Sequence, residues 1–190
     1  MRGMAAAGLT ACALSGLAGA QESGQRYPIP GQGSLLLSVP AGWRAASRSL
    51  EDPASVLLRL RPAAGDGFLI QVSALWLDAA KREGRTPPRL KGEVQKSAEK
   101  LLAQSVEKNA VIEELRGAQS FGYYYSLTDR QPKPGEYKYL TQGMVMTGEL
   151  LTIFTVLHHE PAPPERGQAL RMFADATYLA ASTAPAAAGR

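Results

Sequence analysis

The chain has 190 residues, a formal net charge of +4 at neutral pH and 45% hydrophobic residues. This length and composition predict one globular domain with a hydrophobic core of ordinary size. Most of the basic residues have acidic neighbours, and the charge excess is small. A nucleic-acid-binding protein concentrates its positive charge in a patch or stripe, so the composition argues against that class.

Residues 1–20 have the pattern of a secretory signal peptide. Arg2 is followed by a run of small and apolar residues and then by Ala18-Gly19-Ala20, which matches the A-x-A cleavage site. The run is too short and too rich in Ala and Gly for a membrane-spanning helix, so we expect no transmembrane span. Cleavage after Ala20 predicts a periplasmic or secreted protein whose mature chain begins at Gln21.

A lipoprotein signal is the alternative interpretation of the N-terminus. The residues LTAC, which end at Cys12, resemble the bacterial lipobox, whose cysteine carries the lipid. Against this interpretation, the stretch before Cys12 is short for a signal. The sequence contains 1 cysteine, so cleavage after Ala20 would leave a mature chain without disulfides or thiol chemistry.

Residues 21–33 are polar, contain two prolines and are typical of a linker. We expect a single domain over 34–180, beginning with strands. A strand is predicted over 34–39, where Pro-Ala-Gly follows as a turn, and another over 55–62, where apolar and basic residues alternate. A third strand over 68–77 is apolar on both faces, which predicts a central place in its sheet.

The stretch 78–91 contains a glycine and two prolines and predicts a solvated loop. Its basic residues are the candidate contact for an acidic protein face or an anionic membrane surface: Lys81, Arg82, Arg85, Arg89 and Lys91. An amphipathic helix is predicted over about 90–109, because apolar residues recur there at helical spacing.

The second half of the chain predicts further strands, over 110–117, 120–129, 137–147 and 150–160. Gly148-Glu149 has the signature of a type II′ turn and predicts a tight hairpin between the last two. A helix is predicted over about 163–180 and a disordered tail over 181–190. The element order predicts an α+β domain, with a central antiparallel β-sheet flanked by a mid-chain helix and a C-terminal helix.

Both histidines, His158 and His159, lie at the end of the last predicted strand. Neighbouring strand residues point to opposite faces, so the two imidazoles are not expected to share a metal ion. The hairpin register places Thr147 opposite Leu150 and His158 opposite Tyr139. We therefore predict that the histidines close a buried strand and form neither a metal site nor a catalytic centre. No phosphate-binding loop, zinc-protease motif, calcium loop or nucleophile elbow is present, and we expect no cofactor.

Aromatic residues offer a further possible binding surface. Alternation along the strand predicts core positions and cross-strand contacts for Tyr123, Tyr124 and Tyr125, rather than a stacking platform for a ligand. Trp43 and Trp76 are likewise predicted to pack in the core.

The stretch LLLSVPAGW, residues 35–43, is similar to the apolar strand and Pro-x-Gly-Trp turn of the PsbP-like superfamily. That superfamily includes photosystem II extrinsic proteins and bacterial DcrB-like envelope proteins. The mid-chain helix, the following hairpins and the closing helix match its element order over about 27–180. The resemblance implies a central antiparallel sheet between helices and a non-enzymatic role, because the better-known members bind other proteins. It implies no particular site residues.

The sequence therefore predicts an exported, non-catalytic protein of the bacterial envelope that binds a protein partner. The alternative is a carrier of a small apolar ligand held between sheet and helix, which requires an enclosed apolar pocket. A hydrolase is a third class, and it requires polar groups that converge in a cleft.

Overall fold

The structure is a computed structural model, and it describes residues 23–49 and 54–181. The predicted signal peptide, its lipobox alternative and nearly all of the predicted tail lie outside these ranges. The strands are β1 Ser23–Ile29, β2 Gly33–Val39, β3 Trp43–Ser49, β4 Ser55–Pro62, β5 Phe68–Trp76, β6 Glu113–Arg116, β7 Ser120–Thr128, β8 Tyr139–Thr147, β9 Leu150–His158 and β10 Thr177–Leu179. The helices are α1 Ala79–Glu83, α2 Pro87–Glu99 and α3 Pro164–Ala174.

The strands form two sheets in which every neighbouring pair is antiparallel. The larger sheet has 7 strands in the order β3-β4-β5-β9-β8-β7-β6, and the smaller has 3 strands in the order β1-β2-β10. The domain is therefore α+β, as expected, but it is mostly sheet. β5 has a partner on each side, which confirms its predicted central position.

Two hydrophobic clusters cover opposite faces of the larger sheet. On one, which we call the inner face, the smaller sheet and α3 pack against β4, β5 and β9. On the outer face, Leu90, Val94 and Ala98 of α2 pack against β7, β8 and β9. This arrangement confirms a central antiparallel sheet with the mid-chain helix on one side and the C-terminal helix on the other.

The predicted hairpin at Gly148-Glu149 is correct in position and register. Thr147 pairs with Leu150 and Tyr139 with His158. Gly148 has φ +56°, as the first central residue of a type II′ turn requires.

The linker prediction for 21–33 is wrong, because residues 23–29 form β1. Two features explain the error. β1 is an edge strand that pairs with β2 alone, so Pro28 can lack an N–H without breaking the sheet. Its apolar side chains, Tyr27 and Ile29, are buried against the rest of the core. β3 was also not expected, since its residues, WRAASRS, have low strand propensity.

Both long helices were predicted with the wrong ends. α2 spans 87–99 instead of 90–109. It begins earlier than predicted because Pro87 and Pro88 occupy the first helical turn, where a missing N–H is harmless. A single 3₁₀ turn, Leu102–Gln104, follows it. The last helix was predicted over 163–180, but α3 ends at Ala174. Thr177–Leu179 instead forms β10 on the edge of β2, a tertiary pairing that overrides the helical period.

The predicted loop 78–91 is also partly helical, since it contains α1 and the first turns of α2. Among the described residues, none of the helices is long and apolar enough to span a membrane.

Candidate protein-binding face

The outer face of the larger sheet is covered by a helix over only part of its width. α2 packs on β7 and β8, where Tyr123 and Tyr125 are buried beneath it. On β4, by contrast, Arg59 and Arg61 are exposed on this same face. Within residues 23–49 and 54–181, no helix covers the outer face of β3, β4 and β5.

A polar chain marks the border between the covered and uncovered parts. The Tyr125 hydroxyl donates to Oε1 of Gln142, and the Ser97 hydroxyl of α2 lies 3.2 Å from the same oxygen. The Gln142 side-chain amide donates to Oγ1 of Thr155 at 3.1 Å. This chain joins α2 to three strands and ends at the wall of the open area.

Beyond this border lie two adjoining open grooves. The first has a volume of about 480 Å³, with Leu57 and Ile153 among its apolar residues and Gln71, Ser73 and Thr155 among its polar ones. The second has a volume of about 430 Å³ and shares Ala46 and Arg59 with the first. Neither groove is enclosed, so both suit a polypeptide segment better than a sequestered small molecule.

Four arginines line these grooves: Arg44, Arg48, Arg59 and Arg61. We call this surface the arginine face. The register of β3 and β4 brings the four side chains together, because Arg44 pairs with Arg61, Ala46 with Arg59 and Arg48 with Leu57. Alternation along β4 sends Leu58 and Leu60 to the inner core and leaves the arginines outside.

Carboxylates offset little of this charge. Asp66 is the one acidic residue that lines either groove in the described part of the chain, and it lies 3.2 Å from Arg61. The side chains of that pair are 52% and 92% exposed, so solvent screens the attraction. The arginine face is therefore a cationic surface over a partly apolar floor.

The predicted basic cluster is divided by its own intramolecular contacts. Arg82 lies 2.9 Å from a carboxylate oxygen of Glu149, and Arg85 is paired with Glu93. Lys81 contacts Asp78 at 3.3 Å.

The last two cations of the cluster lie on α2. Lys91 is placed over the ring of Tyr123, 6.0 Å from its centroid, and Arg89 is exposed. The structure therefore does not gather the five cations into one free patch. Their role in partner binding stays a prediction.

The two histidines point to opposite faces, as the strand geometry predicts. His158 is buried between Phe68 and Tyr139, with ring centroids 6.0 Å and 5.3 Å away. His159 is exposed and stacks on Tyr137 at 4.7 Å.

The imidazole of His158 is also held by a hydrogen bond to the backbone. Its Nδ1 is hydrogen-bonded to the carbonyl oxygen of Glu160 at 2.6 Å, and burial lowers the pKa of the imidazole. The described residues hold no group of three His, Cys, Asp or Glu side chains placed to bind a metal ion. The absence of metal binding and catalysis at this position stays a prediction.

The aromatic residues pack as predicted. Tyr123 and Tyr125 belong to the cluster beneath α2, while Tyr124 joins the inner cluster, and all three are buried. Trp43 and Trp76 are partly buried against the inner cluster.

The arginine face was not predicted from the sequence. Arg59 and Arg61 alternate with leucines in β4, which was a readable signal for an exposed cationic strand face. Arg44 and Arg48 lie four residues apart, but they come together with Arg59 and Arg61 only if 43–49 is recognised as a strand that pairs with β4.

Comparison with known proteins gives only distant similarity. No family model matches the chain, and no curated protein matches it. Among solved structures it is similar to the PsbP of the cyanobacterium Synechocystis sp. PCC 6803, with 14% identity and a TM-score of 0.48 over 90% of this chain and 99% of that one. It is also similar to a crystal structure from Bacteroides thetaiotaomicron VPI-5482, with 14% identity and a TM-score of 0.43 over 76% of this chain and 45% of that one.

The first of these structures has the name of the superfamily that the sequence resembles. The DcrB-like part of that resemblance stays a prediction. Both TM-scores lie below 0.5, and neither likeness carries a conclusion about what this chain does.

Proposed function

We propose that this protein is an exported, non-catalytic domain of the bacterial envelope that binds an acidic protein partner through the arginine face. The observation that carries the proposal is the cross-strand pairing of Arg44 with Arg61. Like charges directly opposite one another in a sheet destabilise it, so stability does not account for this pair. Carboxylates of an acidic partner would neutralise both arginines, and the attraction between the two surfaces would speed association.

Three further observations support a protein as the ligand. The grooves are open and adjoin each other, which offers room for an extended segment. Their floor combines apolar Leu57 and Ile153 with hydrogen-bonding side chains, as a protein interface does. The resemblance of LLLSVPAGW to the PsbP-like superfamily implies a binding role as well.

Carriage of a small apolar ligand between sheet and helix has less support. The side chains of α2 that face the sheet, Leu90, Val94 and Ala98, are between 0% and 1% exposed, and they pack directly on the strands. A hydrolase has less support still, because the imidazole of His158 is buried between the rings of Phe68 and Tyr139 and is 3% exposed.

Partner binding can be tested with two triple variants of equal charge change. One replaces Arg44, Arg48 and Arg59 with Gln, and the other replaces the exposed Lys81, Arg89 and Lys91 with Gln. Wild type and both variants are coupled to beads and exposed to an envelope extract of the source organism. The captured partner is then purified, and its affinity for each of the three proteins is measured. We expect the arginine-face variant to lose at least about tenfold in affinity, which equals about 1.4 kcal/mol, and the other variant to bind as wild type does.

The opposite ranking of the two variants would assign binding to the predicted basic cluster and contradict the arginine face. Vesicles that contain an anionic phospholipid provide the second arm of the test. If wild type binds these vesicles in a salt-sensitive manner and no protein partner is captured, the ligand of this protein would be an anionic membrane surface and not a protein.

Export is tested separately by N-terminal sequencing of the fractionated native protein. We expect a mature chain that begins at Gln21 outside the cytoplasm. A lipid-modified Cys12 at the N-terminus would identify a membrane-tethered lipoprotein instead.

A further inference from the structure

β3 is the edge strand of the larger sheet, and its register shows which backbone groups face outward. Ala63 N–H donates to the Gly42 carbonyl at 2.7 Å just before the β3–β4 ladder begins. Hydrogen-bonded and non-hydrogen-bonded pairs alternate in an antiparallel ladder. Arg44, Ala46 and Arg48 therefore bond to β4, whereas Ala45 and Ser47 direct their N–H and C=O groups away from it. The same alternation makes Trp43 and Pro62 a non-hydrogen-bonded pair, which is consistent with the lack of an N–H in proline.

This edge is accessible on both faces of the sheet. Ala45, Ala46 and Ser47 are small and exposed, so side chains do not cover the backbone between the two flanking arginines. In the described part of the chain, β3 has β4 as its one neighbouring strand. Proteins commonly protect such an edge with charged side chains, a proline, a bulge or a covering loop. Arg44 and Arg48 are the charged side chains on this strand, and both point to the outer face.

We propose that the acidic partner adds an extended segment to β3 as an eighth strand of the sheet. This inference rests on the proposed function and specifies how the partner is recognised. The segment would hydrogen-bond to the backbone of Ala45 and Ser47, as in other β-strand additions. Its outward side chains would reach the arginine face beside β3.

The register also defines the side-chain pattern of the segment. Side chains opposite Arg44 and Arg48 lie about 4.5–5.5 Å from them between Cβ atoms, so acidic residues four positions apart satisfy both cations. The two residues opposite Ala45 and Ser47 would lie on the inner face, where Ala45 and Ser47 are exposed beside the core residues Leu60 and Leu58 of β4. Apolar residues suit these positions. The predicted motif is therefore acidic, apolar, any, apolar, acidic.

A second copy of this chain is a poor occupant of the same edge. Antiparallel pairing of two β3 strands about Ala46 would place Arg44 of each copy opposite Arg48 of the other. Parallel pairing in register would align identical arginines. Like charges at these positions oppose self-association and favour an acidic partner.

The test uses a capped peptide, TEVTVET, added to the isotope-labelled mature chain at up to about 1 mM, a concentration that detects weak specific binding. We expect amide shifts centred on Ala45 and Ser47, with salt-dependent affinity. N-methylation of the two valine amides should abolish binding, since those amides face β3. N-methylation of the central threonine amide should leave it unchanged, since that amide faces away.

A protein variant provides the complementary evidence. Ala45→Pro removes an outward N–H and leaves the ladder to β4 intact, because proline is tolerated where an edge N–H faces solvent. We expect at least about tenfold weaker peptide binding with an unchanged far-ultraviolet circular dichroism spectrum. If the variant fails to fold, the two N-methylated peptides decide the question on wild-type protein.

The failures of the two proposals are distinguishable. Binding that ignores N-methylation and Ala45→Pro but requires Arg44, Arg48 and Arg59 would overturn strand addition and leave the arginine face in place. Absence of peptide-dependent shifts at the highest concentration would overturn strand addition, whatever the partner capture shows. A dimer that Ala45→Pro dissociates, measured by analytical ultracentrifugation, would assign the edge to a second copy.

Discussion

Arg44 lies directly opposite Arg61 across the β3–β4 ladder, and both side chains are exposed on the outer face of the sheet. Asp66 contacts the second of these guanidinium groups at 3.2 Å. Water weakens this attraction and the repulsion between the two exposed arginines alike, so Asp66 does not cancel the repulsion and a weak net repulsion remains. Such a surface favours an anionic ligand, and it lowers the stability of the domain when no ligand is bound.

Removal of this repulsion should stabilise the free protein. We expect Arg44→Gln to raise the free energy of unfolding by about 0.2–1 kcal/mol, because like charges directly opposite in a sheet destabilise it by that order. Urea denaturation at low and high salt measures the effect, which should shrink as salt screens the pair. Arg48→Gln is the matched control, since Arg48 is opposite Leu57. An equal gain in the control would show that net charge, and not the pair, is responsible.

Gly143 is required by the aromatic packing of the inner core. It pairs with Phe154, whose ring stacks on Phe173 of α3 with centroids 4.3 Å apart. A Cβ at position 143 would lie 2.7 Å from the Phe154 ring and 2.6 Å from the carbonyl oxygen of Tyr123. We expect Gly143→Ala to lower the free energy of unfolding by about 1–3 kcal/mol, measured by urea denaturation.

Gly92 provides the control for that substitution. It lies in α2, and nothing approaches within 4 Å of a Cβ built there. Gly92→Ala should therefore raise the free energy of unfolding by about 0.5–1 kcal/mol, because alanine loses less backbone entropy in a helix. Destabilisation by both substitutions would contradict the packing argument.

The buried imidazole of His158 should make the fold sensitive to mild acid. Burial lowers its pKa below the ordinary value of 6.5, and the charges of Arg166 and His159 lower it further, while the carbonyl of Glu160 opposes the shift. Below pH 6.5 the unfolded chain therefore binds a proton that the folded chain refuses, and the free energy of unfolding falls as the pH drops towards the lowered pKa.

His158→Gln should remove this component of the pH dependence, even if it lowers stability at every pH. Urea denaturation between about pH 5 and pH 8, the range where histidine titrates, measures how steeply the free energy of unfolding changes with pH. The exposed His159→Gln is the control and retains the buried imidazole. Proton NMR of the His159→Gln variant gives the pKa of the remaining histidine, His158, directly. A pKa at or above 6.5 would contradict the buried placement.

Glu149, in the turn of the β8–β9 hairpin, joins elements that are distant in sequence. Its carboxylate accepts hydrogen bonds from Trp76 Nε1 at 2.8 Å and the Tyr178 hydroxyl at 3.1 Å, and it lies 2.9 Å from Arg82. The bond from Trp76 contributes most to lowering the pKa of Glu149 below its ordinary value of 4.5. Its ionised form therefore stabilises the folded state above pH 4.5, and this contribution is lost as the pH falls through the lowered pKa.

We expect Glu149→Gln to be less stable than wild type at pH 7, with a difference that narrows below pH 4.5. Thermal unfolding at several pH values measures this difference. Glu83→Gln, at an exposed position of α1, removes the same charge and should have little effect. A difference that stays constant as the pH falls would show that the carboxylate charge is not involved.

The sequence by itself determined the features that depend on local chemistry and alternation. The turn at Gly148 and its flanking strands fixed the β8–β9 register, because only one pairing closes a two-residue type II′ loop. Period-two alternation placed β4, an apolar run on both faces placed β5, and helical spacing placed α2, since each pattern is typical of one kind of element. The opposite orientation of His158 and His159 followed from strand geometry alone.

Tertiary pairing decided what local sequence could not. β1, β3 and β10 are strands because neighbouring strands complete their hydrogen bonds. β1 contains a proline and β3 is mostly weak strand formers, while the residues of β10 continue the helical spacing of α3. The arginine face depends on the same effect, since Arg44 and Arg48 meet Arg59 and Arg61 only when β3 pairs with β4. The carboxylate partner of Arg82 is likewise a tertiary one, since Glu149 lies in the distant β8–β9 turn, whereas Arg85 pairs locally with Glu93 of α2. Charge clusters on a sheet therefore follow from register, which is a property of two strands together.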